Sequence, residues 1–520
     1  MYHKIIFALW ILWGIKPLSA QIDGDNIFAQ TQIITIELQF SQPGYWDSLV
    51  ANYNTKDYMR ADLTLTDSTG TYTFDDVGVR LKGNSSYGHP HNKKSFKIDF
   101  NEYVKGQNYD GLKKLNFSNG FKDPTLMREK IFFDVCREAG VPAPRANFAN
   151  VYCNDTLKGF FTVIEQIDDQ FLDWRIGDDD GNLFKAGDNF GGGPGSPPGD
   201  EADLVYYGTA QSAYEDRYEL KTNETENDWS DLIQFIDFIN NSSSSDFENQ
   251  LGNKLELTEF LRSAALDNLF SNLDSYTGSS RNYYLYHNLS TDKWEWIKWD
   301  GNEAFGSYRM GGPAGGPDLI ALPLKYRAPN RPLLERIFNS PVLYPQYLTE
   351  LCSITQNYFH PAYLNSKILA CKSLIQSSVY ADGNKMYSNA DFDTNVANNL
   401  VVSGGPMGMT IYGLQSFVQQ RSSYVSGAVD CTLYTDIADA FAEASLLYPN
   451  PAAGSTLISW QNIPLQSLRL IDVMGQELYR ESVNGKTEVE LDLSRLSAGI
   501  YLIVLQGENQ KLVQKLWVSP

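Results

Sequence analysis

Between Ala264 and Gly306 an apolar helical run gives way to a Gly/Ser turn and then to two strand-length segments. The spacing predicts a helix ending at Asp274, strands over Tyr283–Tyr286 and Trp294–Trp299, and the turn-rich HNLSTD between them. A hairpin of that kind brings the helix end and the far end of the second strand to one edge, with Asp274, Asn282 and Asp300. Two carboxylates and an amide make a hard oxygen site, suited to Mg²⁺ on a phosphate chain. In a kinase such residues divide the work. One Asp orients or deprotonates the attacking hydroxyl, while an Asp and an Asn hold metal against the nucleotide phosphates. The order here makes Asp274 the base, Asn282 a metal ligand and Asp300 the metal Asp of a DFG-like turn. Spacing alone equally allows Asp274 to end a helix and Asp300 to begin a turn.

Upstream, Thr31 to Phe100 reads as short alternating strands: IITIELQF, ADLTLTDSTGTYTF, VGVRLKG and KSFKIDF. The loop Gly83-Asn84-Ser85-Ser86 lies between the last two, and its Gly83, Ser85 and Ser86 are placed to offer backbone N–H groups to phosphates. Lys94 follows, sharing a strand face with Phe96, Ile98 and Phe100, while Lys97 takes the other face. An inward lysine among apolar neighbours calls for an anion, although solvated lysines beside a hairpin turn give the same pattern. The amphipathic run Thr125–Ala139 predicts a helix stopped by Gly140 and Pro142. Glu129 falls on it where a kinase carries the glutamate that pairs with the nucleotide-binding lysine, or where a solvated face residue would sit. Two further strands end at Glu165-Gln166-Ile167-Asp168, a hinge between two lobes, with Glu165 among the nucleotide-binding candidates. Helices are expected across Trp229–Phe270, Pro332–Leu374 and Leu414–Val425. Gly/Pro-rich loops are expected at Gly187–Gly199 and at Met310–Asp318, the second where a kinase activation segment lies.

The whole chain, 520 residues with a formal charge of −21 and no long basic run, predicts two or three domains. That balance argues against nucleic acid or anionic membrane as the main partner. Residues 1–20 read as a secretory signal: Lys4, an apolar run from Ile5 to Ile15, and a small-residue exit at Leu18-Ser19-Ala20. No later segment is long enough to span a bilayer. The five cysteines form no zinc motif, and Cys352 with Cys371, on neighbouring helices, is the first disulfide expected. After a linker at 431–446 the character changes at Leu447-Tyr448-Pro449-Asn450-Pro451. Residues 447–520 then read as a small β-sandwich, a binding module or address tag rather than a catalytic domain.

Taken together, Arg80-Leu81-Lys82-Gly83-Asn84-Ser85-Ser86, Lys93 to Lys97, Arg128-Glu129-Lys130, Val163 to Asp168, Tyr218 to Glu224 and Asn282 through Asp300 resemble the CotH kinase family, named for spore-coat protein H. The resemblance runs from about Gln32 to Val429 in the family's order. It implies an α+β fold: an atypical, two-lobed protein-kinase-like domain over residues 30–430, followed by the small all-β sandwich. It also implies ATP and Mg²⁺ as cofactors. Asp274 then stands as the catalytic Asp and Asp300 as the metal-binding Asp, with Asn282, Lys94 and Glu129 carried over beside them. Members often read Trp-Asp-x-Asp at the metal turn, whereas this chain reads Trp299-Asp300-Gly301-Asn302. The tail is similar to type A sorting domains of the type IX secretion system. The match rests on Tyr448 to Pro451, Asp472-Val473-Met474-Gly475, Leu496 to Tyr501 and Lys511 to Val518. That similarity implies a Bacteroidota-type bacterium, the secretion machinery as a partner, and a secreted or cell-surface location. Two functions follow: a secreted Mg²⁺-dependent kinase acting on Ser/Thr hydroxyls of surface or extracellular proteins, or a catalytically silent surface protein using the fold for adhesion or structural binding.

Overall fold

The computed structural model describes residues 22–28, 32–187, 201–308, 316–402, 409–434, 445–450, 452–460, 464–472, 477–497, 499–507 and 511–518. Residues 1–20, expected to be a secretory signal, most of the Gly187–Gly199 and Met310–Asp318 loops, most of the linker and Val473-Met474-Gly475 lie outside the described residues. The chain divides into two compact units, 1–428 and 429–520.

The first unit mixes helices and strands around a closed seven-stranded barrel. Its strands are β1 (Ile33–Gln39), β2 (Met59–Asp67), β3 (Gly70–Leu81), β4 (Phe96–Asp99), β5 (Lys114–Ser118), β6 (Ala146–Cys153) and β7 (Thr156–Glu165). Their spatial order is β1-β2-β3-β4-β5-β7-β6. Neighbours run antiparallel except where β6 meets β1 in parallel and closes the ring. Strict alternation drives this: Ile34, Ile36, Leu38, Val79, Leu81, Ile98, Leu115, Phe117 and Val163 all point into one core. Arg80, Lys97 and Asn116 occupy the outward face between them, in register across β3, β4 and β5. The helix Arg128–Glu138 packs on β6. It starts later than the sequence pattern suggests because Asp123 ties off its entry, accepting from the Thr125 and Arg128 backbone N–H groups at 2.9 Å each.

Beside the barrel, four antiparallel strands form a second sheet: β8 (Leu183–Ala186), β9 (Tyr218–Leu220), β10 (Tyr283–Asn288) and β11 (Lys293–Lys298), in the order β11-β10-β8-β9. The β10–β11 hairpin is the one the sequence predicts, with Tyr283 opposite Lys298 and Asn288 opposite Lys293. Helices at 230–241, 244–254, 257–269, 332–339, 343–357, 361–381, 389–397 and 414–428 follow, besides the shorter Tyr45–Ala51 and Asp169–Ile176 and an antiparallel strand pair, Leu400–Val402 with Met409–Ile411. The helix expected to end at Asp274 stops at Leu269. The next residues turn back on it: the Asn272 N–H donates to the Asp267 carbonyl at 2.8 Å, and Ser271 takes a left-handed φ of 44°. Asp274 therefore sits in a turn rather than on a helix.

The disulfide expectation fails. Cys371 carries a free thiol, and the disulfide-bonded cysteines are Cys352 and Cys431. Helix 361–381 packs chiefly on helices 414–428 and 389–397, and its Cys371 thiol lies in the field of Lys130 and Asp134, not against Cys352.

In the second unit two small antiparallel sheets share one core. Strands Ser445–Tyr448, Ser455–Trp460 and Glu488–Asp492 form one sheet; Glu477–Ser482, Leu465–Asp472, Gly499–Gly507 and Lys511–Val518 form the other. Ile458, Trp460, Leu468, Leu470, Ile503, Leu505 and Leu516 fill the space between them.

Candidate active site

The turn after helix 257–269 presents Asp274 as a half-buried carboxylate. The Ser279 hydroxyl donates to its Oδ1 at 2.7 Å, and Asn282 Nδ2 donates to its Oδ2 at 3.0 Å and to its carbonyl at 2.8 Å. Asn282 holds a φ of 60°, a conformation Asn tolerates better than most side chains, and stands one residue before β10. The hairpin register then returns the chain beside it: the Trp299 N–H donates to the Asn282 carbonyl at 3.2 Å. Asp300 follows at the exit of β11, also left-handed at 50°.

Burial, and next the Asp274 carboxylate, push the Asp300 carboxyl above its ordinary range; Lys82 and Lys185 pull the other way. Glu303, three residues on and buried, is raised to about 8 by burial and then by Asp274, although Lys122 ion-pairs with it at 2.9 Å. From the barrel side comes Lys82, just past β3. Burial lowers its ammonium, and the Glu129 and Asp300 carboxylates support it. Its Nζ donates to Asn116 Oδ1 at 3.2 Å and stands 5.2 Å from the Trp299 ring. Buried Glu129 on helix 128–138 is raised by burial and by Asp300, and eased by Lys82 and a Ser118 hydroxyl. Lys185 on β8 approaches the other flank, 5.9 Å from the same Trp299 ring, and burial lowers it to about 7.

Asp274, Asn282, Asp300 and Glu129 are thus brought together. Lys94 is not among them. It precedes β4, and its Nζ donates to the carbonyls of Tyr87 and His89, closing the far end of the short helical turn Ser85–Gly88. The lysine facing Glu129 and Asp300 is Lys82. Alternation from Arg80 past Leu81 carried that signal, because Lys82 falls on the outward face on the threshold of the Gly83 loop. Gly83 itself takes a left-handed φ of 93°, where an L side chain is strained. Ser85 is exposed and Ser86 half-buried on that loop. Glu165 is engaged elsewhere: its buried carboxylate accepts from Arg145 Nε at 3.0 Å, the Arg145 N–H at 2.9 Å and Trp174 Nε1 at 3.1 Å. Lys185, Glu303 and Lys122 had no spacing signal at all, since each arrives from a separate segment.

Among the described residues no three His, Cys, Asp or Glu side chains are grouped to hold a metal ion by themselves. Mg²⁺ asks for less, taking one or two carboxylates and completing its shell with water and phosphate oxygens. The Asp274 carboxylate and the Asp300 carboxyl, which Asp274 helps to raise, fit that demand, with the Asn282 amide oxygen beside them. The Asn302 side chain, at the place of the second Asp in Trp-Asp-x-Asp, donates to the Phe121 carbonyl at 3.3 Å.

Residues 446–519 match the secretion system C-terminal sorting domain, so the tail directs the chain to the type IX secretion machinery and to export. Among the described residues no helix is long and apolar enough to cross a membrane. The chain is similar to the inner spore coat protein H of Bacillus subtilis (strain 168), 26% identical over 322 residues, covering 61% of this chain and 82% of that protein. The model of the family described as CotH kinase protein matches residues 79–425, more than half of the sequence, and takes in every residue of the site just described. The chain belongs to the CotH kinase protein family.

Proposed function

We propose that this exported protein is an atypical Mg²⁺-dependent kinase that moves the γ-phosphoryl group of ATP to Ser or Thr hydroxyls of surface or extracellular proteins. The observation that carries the reading is the Lys82 ammonium set between Glu129 and Asp300. A lysine in the field of a helix glutamate and of a metal-type aspartate resembles the arrangement kinases use on nucleotide phosphates. In this reading the barrel acts as the nucleotide-covering lobe and the helical region, with its four-stranded sheet, as the other.

Asp274 orients the acceptor hydroxyl and draws off its proton through the carboxylate that Asn282 and Ser279 hold in place. Asp300 and the Asn282 oxygen would hold Mg²⁺, which supplies positive charge against the β- and γ-phosphate oxygens. Lys82 neutralises phosphate charge from the barrel side, and Lys185 from the second sheet. The loop at Gly83 lets backbone approach the phosphates without a side chain between. The alternative, a silent binding platform, draws on Asn302 standing where many members have a carboxylate.

Calorimetry of ATP with Mg²⁺, on the purified chain and on Asp300→Ala, tests the proposal. Metal-dependent binding in the wild type, lost in the variant, is expected. No binding by a folded wild-type sample refutes the kinase reading and leaves the platform.

A further inference from the structure

The outward face of the barrel next to Lys82 carries more positive charge than the site so far uses. Arg80 on β3 is registered directly opposite Lys97 on β4, and Lys97 directly opposite Asn116 on β5. Residues so paired in an antiparallel sheet have Cβ atoms only about 5 Å apart on one face, and like charges there oppose folding. Lys82 lies two residues beyond Arg80, and Lys114 two residues before Asn116, on that same face. Four cations therefore stand on a strip three strands wide, in a chain whose net charge is −21.

The counter-charges stand at the two ends of the strip; at one of them, Asp99 on β4 is registered directly opposite Lys114 on β5. Glu129 and Asp300 act on Lys82. The carboxylate acting on Lys97 is Asp168, which already lies 3.9 Å from Lys114. Asp168 is itself pushed up to about 6 by burial, so it is ionised at neutrality and loses its charge as the pH falls through that value. Arg80 leans over the Tyr58 ring at 5.3 Å, a contact that spreads charge without cancelling it. Lys97 is half-buried, and Arg80, Lys114 and Lys82 all press against its charge. The Arg80–Lys97 pair at the centre of the strip has no carboxylate registered directly opposite it, and makes sense as the middle of a cradle. An extended anion crossing β3, β4 and β5 would relieve every repulsion in it.

We propose that Arg80, Lys97 and Lys114 continue the Lys82 site as a binding strip for a polyphosphate chain, either that of a nucleoside triphosphate or an inorganic polyphosphate. The strip lies on β3, β4 and β5 of the barrel, whereas Asp274 stands in the turn after helix 257–269. The chain it takes is therefore that of the phosphate donor and not an acidic patch on the acceptor protein. The proposal rests on the donor reading of the neighbouring Asp300 site, but the two fail separately.

The test measures binding of ATP and of inorganic tripolyphosphate, each with and without Mg²⁺, to the full chain and to Lys97→Gln, Arg80→Gln and Asp300→Ala. Loss of one charge-assisted contact should weaken tripolyphosphate by about tenfold or more in Lys97→Gln and in Arg80→Gln. An equal loss for ATP would identify its own phosphates as the strip's occupant. A loss confined to tripolyphosphate would identify a longer inorganic chain. Thermal melts guard against misfolding: relief of the cross-strand repulsion should leave ligand-free Lys97→Gln at least as stable as the wild type, while its stabilisation by tripolyphosphate shrinks. Unchanged affinity for both ligands in Lys97→Gln and Arg80→Gln overturns the strip, and leaves the kinase reading standing if Asp300→Ala still loses ATP. Tripolyphosphate bound through Lys97 by a wild type that ignores ATP would overturn the kinase reading and keep the strip.

Discussion

Replacing Lys298 by Met should unfasten the two arms of the site from one another. Lys298 is the last residue of β11, two before Asp300, and Asp267 is on the helix that leads into the Asp274 turn. Their charged groups meet at 2.5 Å with side chains only 2% and 4% exposed. Asp267 also accepts from Asn272 Nδ2 at 3.1 Å, inside the turn itself. Removing one partner of a buried pair strands the other, a loss of about 3–5 kcal/mol. Burial already raises the Asp267 carboxyl, with Lys298 opposing; without Lys298 it rises further and the group escapes its cost by taking a proton. The sign follows. The native variant then binds more protons than the unfolded chain, so its stability falls as pH rises towards the raised value, by about 1.4 kcal/mol per pH unit. Denaturant unfolding at about pH 8 should show the full deficit, and at about pH 5 a much smaller one. Lys298→Met combined with Asp267→Leu should recover most of the loss. A deficit below about 1 kcal/mol at the higher pH, or one equal at both, would refute the idea that this pair is a desolvated clamp.

Lys185, lowered to about 7 by burial, is charged below that pH and neutral above it. Phosphate affinity should therefore fall as pH rises from about 6 to 8, and Lys185→Gln should flatten that slope in a calorimetric titration series. Alkylation under native, non-reducing conditions followed by denaturation should leave Cys352 and Cys431 unmodified until a reductant is added. Cys136, Cys153 and Cys371 should label once the chain is unfolded. Labelling of Cys352 without reductant counts against the bond.

How far the sequence could be read depended on distance along the chain. The β10–β11 hairpin and the meeting of Asp274, Asn282 and Asp300 are local, fixed by one turn and one register, and alternation with turn residues reveals them. Alternation also exposed the outward face of β3 and β4, yet it led to Lys94 because that lysine was counted into a strand that begins only at Phe96. Two residues of strand length decide whether a lysine faces a site or caps a loop. Glu165 failed for another reason: Arg145 and Trp174 reach it through β6–β7 pairing and the helix beyond, contacts that periodicity does not encode. Glu303 with Lys122, and Lys185 against Trp299, join segments far apart in sequence, so only the folded arrangement reveals them.

Closing the barrel bears on self-association as well. Its strands all have neighbours on both sides, so they offer no template on which a second copy could extend a sheet. The adjoining sheet is guarded at both margins. β9 is three residues long, and β11 is capped along its length where Leu255 bridges Trp294 and the Lys298 N–H donates to the Pro142 carbonyl at 2.9 Å. The open margins left among the described strands of the two-unit chain are those of the antiparallel pair Leu400–Val402 and Met409–Ile411 and of the tail sheets, such as Glu477–Ser482 with its charged Glu477, Arg480 and Glu481. The chain thus keeps strand exchange off the barrel and the four-stranded sheet that carry its site, and leaves that hazard to one short strand pair and to its sorting end.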